Sequence, residues 1–181
     1  MGSSRGWKFW LKEALITVAI AAAVLFAFRQ FQLMKQRGGG GVLTVGAEAP
    51  EFDLADARSG AKVDLKALRG KPVIIAFWAT HCGPCRSELP TLERVYHEAG
   101  DRFTLVTVAQ EPPSMLRRFL AEKKLDIPVL VDFSGQVHDS YQVTSIPMTV
   151  IIDKDGAIVH DFVGPADEDI LLEHMEDLGA I

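Results

Sequence analysis

The stretch Val73-Ile74-Ile75-Ala76-Phe77-Trp78-Ala79-Thr80-His81-Cys82-Gly83-Pro84-Cys85 decides the fold. Its first six residues are apolar without a break, which fits a strand buried on both faces. Cys85, Leu89, Leu92 and Tyr96 then recur at helical spacing, so a helix follows directly. Both cysteines of the chain lie at this junction. Cys82 falls at the start of the helix, where free N–H groups and the helix dipole stabilise an anion. Its thiol is therefore expected to be more acidic than an ordinary one. Cys85 lies one turn further, on the face of Leu89 and Leu92, and is expected to be buried. An exposed attacking thiol beside a buried resolving thiol makes a two-step exchange device. Pro84, with no N–H and a fixed φ, suits a first helical turn.

Outward from this junction, strand and helix alternate. Before it, 51–54 and 61–65 read as two short strands around Ser59-Gly60, a hairpin. After it come a strand over 103–109 and a helix with Met115, Leu116, Phe119 and Leu120 on its inner face. Pro112-Pro113 suits that helix's start. A short strand at 127–131 follows, then strands at 148–152 and 157–163 around the turn-forming Asp153-Lys154-Asp155-Gly156. Asp167 is a good N-cap for a last helix with Ile170, Leu171 and Leu178 facing inward. The pattern predicts an α/β domain: a mixed central sheet with helices on both faces.

Composition narrows the function. Of 181 residues, 48% are hydrophobic, so a disordered chain is excluded. With 19 basic and 24 acidic side chains, the net charge of −5 disfavours a nucleic-acid partner. Two cysteines are too few for a structural zinc site, and the five histidines show no ligand spacing, so no metal is expected. A purely structural disulfide across so short a loop would gain little. Redox exchange remains the strongest reading, with copper handling through the two thiolates and His81 as an alternative.

The N-terminus differs from the rest. Residues 14–28, ALITVAIAAAVLFAF, carry no charge. Their helical length of about 22 Å reaches that of a hydrocarbon core when the flanks Trp10 to Phe31 are added and Lys12 and Arg29 snorkel outward. A cleaved signal peptide using Ala21-Ala22-Ala23 and a buried helix compete with this reading, and an uncleaved anchor fits best. The expected organisation is a cytoplasmic tail (1–13), a transmembrane signal-anchor (14–31), a Gly-rich linker ending in Gly38 to Gly41 and beyond (32–43), and a folded domain (44–181). Three basic residues precede the span and three follow it, so charge does not orient it. Residues 1–43 carry +5 and residues 44–181 carry −10. A basic anchor fits anionic headgroups.

The run FWATHCGPCRSELP resembles the active site of the thioredoxin-like superfamily. More narrowly, the chain is similar to membrane-anchored bacterial thiol–disulfide reductases of the TlpA/ResA kind. The opening GAEAPEF at 46–52, the LRGKP at 68–72 and the SIPMT at 145–149 carry the same resemblance. It implies a thioredoxin-like three-layer fold and a cis peptide before Pro147. It also implies that the backbone of Ile146 pairs with the substrate chain. Glu88 matches an acidic residue near the buried thiol that could move its proton. Trp78, His81, Gly83 and Pro84 would line the substrate face. Two positions depart from the pattern. His81 stands where tryptophan is usual, and a cation there would make the pair more oxidising. Ala76 stands where thioredoxin has a buried aspartate, leaving Glu88 or water as proton acceptor.

The expected activity is reduction of protein disulfides by dithiol exchange, with a disulfide-forming oxidant as the alternative direction. The expected partners are a protein disulfide or dithiol substrate and a membrane thiol–disulfide electron donor. The expected location is the cytoplasmic (inner) membrane, with the C-terminal domain facing the periplasm or the cell exterior. The two thiols carry the electrons, so no bound cofactor is called for.

Overall fold

In a computed structural model of the chain, residues 43–181 are described, and before them Phe26 alone. The expected tail, span and most of the linker lie outside the described residues. Among the described residues no helix is long and apolar enough to cross a membrane.

The apolar run forms β3 (Val73–Phe77), and all five of its residues are buried. It sits deep in a seven-stranded sheet. Parallel to it runs β4 (Thr104–Ala109), and parallel to β4 runs β5 (Val129–Val131). Antiparallel on its other side is β6 (Met148–Ile152), followed by β7 (Ile158–Val163). The hairpin of β1 (Asp53–Asp56) and β2 (Lys62–Asp64) covers the free edge of β5. The spatial order is β2-β1-β5-β4-β3-β6-β7. The expected hairpin strand at 51–54 is therefore shifted two residues along the chain. The expected strand at 127–131 is shorter, because Pro128 cannot donate to a ladder and its carbonyl instead accepts from Thr107 N–H at 3.1 Å.

Side chains of β3 alternate between two cores, as a pleated strand requires. Ile74, Ala76 and Trp78 join α1 (Gly83–Ala99), α2 (Pro113–Lys123) and α4 (Glu168–Asp177) on one face. Val73, Ile75 and Phe77 meet Leu65, Val137 and Tyr141 on the other, beside the short α3 (Gln136–Ser140). The mixed sheet with helices on both faces is thus as expected. Inward faces differ in detail. Tyr96, Met115 and Ile170 point outward, and Val95 and Met175 take inner positions. Each helix bends its stripe to the sheet, so i+3 and i+4 positions compete for the inside. Within α1, Pro90 removes the bond to the carbonyl four residues back, yet the helix continues. Asp167 caps α4 as expected, its side chain accepting from Asp169 N–H at 2.9 Å.

Leu92 is fully buried between α1 and the sheet. Leu92→Ala should cost about 2–5 kcal/mol of stability through lost transfer energy and a residual cavity. Chemical denaturation measures this directly. A loss under about 1 kcal/mol would mean the helix does not pack as described.

Candidate functional site

The site forms where β3 ends and α1 begins. β3 runs out at Phe77, and the loop Trp78 to His81 carries the chain to Cys82, the N-cap of α1. Cys82 is half-buried and Cys85 fully buried, which gives the asymmetry the helical spacing predicts. The two are joined as a disulfide with Cα atoms 5.3 Å apart. The backbone N–H of Cys85 points at Cys82 Sγ at 3.2 Å. When the pair is reduced, this donor and the helix N-terminus favour a thiolate on Cys82. Gly83 and Pro84 are exposed at the rim.

The loop is pinned by Glu111, which follows β4. Its carboxylate accepts from Thr80 N–H at 2.9 Å and from the Thr80 hydroxyl. His81 Nδ1 lies 3.6 Å from the same carboxylate, while its side chain is 79% exposed. Nothing in the sequence singled out Glu111, because its contact with Thr80 is made only when β3 and β4 end side by side.

Opposite the cysteines stands the segment leading into β6. The Ile146–Pro147 peptide is cis, as the resemblance implies. The Ile146 carbonyl lies 3.8 Å from Cys82 Sγ, so this backbone borders the reactive sulfur. Gly164 N–H donates to the Pro147 carbonyl at 2.8 Å and ties the segment to the end of β7.

Glu88 lies one turn beyond Cys85 on the buried face of α1, only 3% exposed. Its Oε2 accepts from Ala166 N–H at 2.7 Å, while Oε1 is buried with no partner in the described structure. Burial pushes its carboxyl up to about 7, against the pull of the Ala166 N–H. A buried acid poised near neutrality, next to a buried thiol, is equipped to exchange a proton.

Trp78 lies at the base of the site and is among the residues that border the cleft. Its ring is only 1% exposed, packs on Phe119 and donates from Nε1 to Thr107 Oγ1 at 3.0 Å. It forms a wall of the cleft. Beside Cys82 opens a cleft of about 400 Å3, bordered by His81, Glu111, His138, Ser145 and Ile146. The structure thus gathers Cys82, Cys85, Glu88, His81, Gly83, Pro84, Ile146 and Pro147 around one sulfur pair, with Trp78 beneath.

Comparison with known proteins agrees with this geometry. Residues 45–161 match the AhpC/TSA family. The thiol-disulfide oxidoreductase ResA of Halalkalibacterium halodurans is 30% identical over 171 residues, 93% of this chain and 94% of that protein. The thioredoxin-like protein YneN of Bacillus subtilis is 37% identical over 123 residues, 66% of this chain and 71% of its own. Among solved structures, the exposed lipoprotein thioredoxin Etrx1 of Streptococcus pneumoniae has a TM-score of 0.63 at 32% identity. It aligns with 71% of this chain and all of its own. Fold and cysteine pair define a thioredoxin-like thiol–disulfide oxidoreductase of the ResA kind. The chain belongs to the AhpC/TSA family.

Proposed function

We propose that the protein is a membrane-anchored reductase of protein disulfides. A span at 14–31 holds it in the cytoplasmic (inner) membrane, and residues 44–181 face the periplasm or the cell exterior. The observation that carries the reading is the asymmetry of the pair: Cys82 reachable at a helix start, Cys85 sealed beside the buried acid Glu88. The Gly83-Pro84 dipeptide and the uncharged stretch at 14–28 support the direction and the anchor.

The cycle follows from the geometry. The Cys82 thiolate attacks a substrate disulfide; a Cys82–substrate bond forms, and the electron pair leaves on the second substrate sulfur. Ile146 pairs with the substrate backbone, with Pro147 packed beside it and Gly83, Pro84 and His81 framing the approach. Cys85 then gives its proton to the Glu88 carboxylate and attacks Cys82 Sγ. The substrate leaves as a dithiol, and the protein is left in the disulfide form seen here. A membrane thiol–disulfide donor returns two electrons and restores both thiols.

The reduction potential of the full-length protein in detergent, with insulin reduction beside it, tests this. A potential near that of thioredoxin, about −270 mV, with turnover is expected. A value near about −120 mV would assign the protein to the oxidants. Tight stoichiometric Cu(I) binding with no turnover would assign it to copper handling instead.

A further inference from the structure

The wall of the cleft beside Cys82 includes His138, one of a pair of buried ionisable groups that the exchange chemistry does not use. His138, on α3, is 6% exposed, and Asp132, just past β5, is 1% exposed. His138 Nδ1 lies 2.8 Å from Asp132 Oδ2, and the His138 backbone N–H donates to the same oxygen at 2.8 Å. Burial alone would raise the Asp132 carboxyl, but these donors, with the Val137 N–H, hold it below the usual carboxylate range. A carboxylate only accepts, so Nδ1 donates to it, and in the neutral ring Nε2 is then an acceptor. Nε2 has no hydrogen-bond partner among the described residues. His138 forms part of the cleft wall, with its Nδ1 turned to Asp132. The Phe77 ring meets the imidazole edge-on with centroids 5.0 Å apart, and Asp132 fixes it from behind, so its direction is set. Two buried polar groups held this firmly cost stability unless something is gained.

Asp132 also serves the turn into α3, since it accepts from backbone N–H groups there. That role needs no imidazole. A leucine at 138 keeps the backbone N–H from which Asp132 accepts.

We infer that the Asp132–His138 couple is a fixed hydrogen-bond acceptor in the substrate cleft, selecting protein substrates that carry an N–H or O–H donor beside the reactive cysteine. Asp132 is a positioning residue here, and His138 determines specificity. The inference rests on the reading of the cleft as the place where a disulfide substrate lies.

The test uses reduced full-length protein in detergent and two chromogenic probes, compared at one fixed pH. One probe is acetyl-Gln-Cys-Gln-amide and the other acetyl-Met-Cys-Met-amide. Each carries 2-nitro-5-thiobenzoate on the cysteine as a mixed disulfide. Attack of Cys82 on the peptide sulfur releases the coloured thiolate. Wild type should favour the glutamine peptide in the second-order rate constant of single-turnover thiolate release by about fivefold to tenfold, the value of one hydrogen bond. His138→Leu should bring the ratio to about one, and His138→Gln, which restores an acceptor, should recover part of it. The ratio is internal to each preparation, so partial unfolding of a variant does not move it. A wild type that treats the peptides alike, or a His138→Leu variant that keeps the preference, overturns the inference. Failure to release the thiolate from either peptide would instead overturn the oxidoreductase reading on which it stands.

Discussion

A Cys85→Ser variant should stop half-way through the cycle and accumulate a mixed disulfide between Cys82 and its substrate. Cys82→Ser should abolish exchange, by on the order of a thousandfold or more, because the one thiol left, Cys85, is buried out of a substrate's reach. The asymmetry follows from position. Cys82 is half-exposed at the N-cap of α1, within 3.8 Å of the Ile146 carbonyl, so a substrate sulfur can reach it. Cys85 is fully buried under the first turn and can meet only what is already bonded to Cys82. Full-length Cys85→Ser protein, expressed in cells and recovered under non-reducing conditions, should migrate as a set of disulfide-linked adducts that dithiothreitol collapses. The same preparation identifies the substrate. If the adducts form through Cys85 in a Cys82→Ser variant instead, the assignment of attacking and resolving thiols is reversed.

Glu88→Gln should change both the second half of the cycle and the response of stability to pH. Without a carboxylate to take the Cys85 proton, release of the substrate should slow by about a hundredfold. Rapid-mixing kinetics would show the mixed disulfide persisting. The stability effect has a definite sign. Burial raises the Glu88 carboxyl from 4.5 to about 7, against the opposing Ala166 N–H. Below 4.5 the group is protonated whether the chain is folded or not. Between 4.5 and about 7 the unfolded chain loses the proton while the folded one keeps it, so stability falls as pH rises through this window. The loss attributable to this one group comes to about 3 kcal/mol by the upper end. Glutamine cannot ionise, so the variant should lack this component of the slope. Unfolding midpoints at several pH values check it. Equal slopes in wild type and variant would mean that Glu88 is solvated when folded.

Much of this was legible in the sequence, and the reasons differ from residue to residue. The run from Val73 to Trp78 is apolar on both faces, which only a central strand tolerates, and the cysteine pair follows at a fixed distance from it. Asp167 announced the start of α4 through its short acceptor side chain. Tyr96 and Met115 read as inward because periodicity gives a face only to within one position; the sheet, not the helix, decides between neighbours. The resemblance put Trp78 on the substrate face; its Nε1–H bond to Thr107 on the neighbouring strand had no local sign. The five residues of α3 hold too little pattern to be read as a helix. The partnership of His138 with Asp132 therefore had no local sign. Glu111 shares that difficulty, since the sequence does not show where β4 will end relative to β3.

The antiparallel register of β3 on β6 has a geometric consequence. Phe77 faces Met148 across the ladder, so the strand that delivers Cys82 and the strand that begins after Pro147 end on the same rung. The separation between the reactive sulfur and the Ile146 backbone is therefore referred to hydrogen-bonded rungs in the buried middle of the sheet, with only Trp78 to His81 between the last rung and Cys82. A slip of two residues between these strands would offset the two partners by about 7 Å, more than any side chain could make good. Extra residues at the opposite end, in the Asp153–Gly156 turn, leave that spacing alone. The molecule thus keeps its working gap as a machinist keeps one, by clamping both jaws to a single rigid block and leaving variation to the far side.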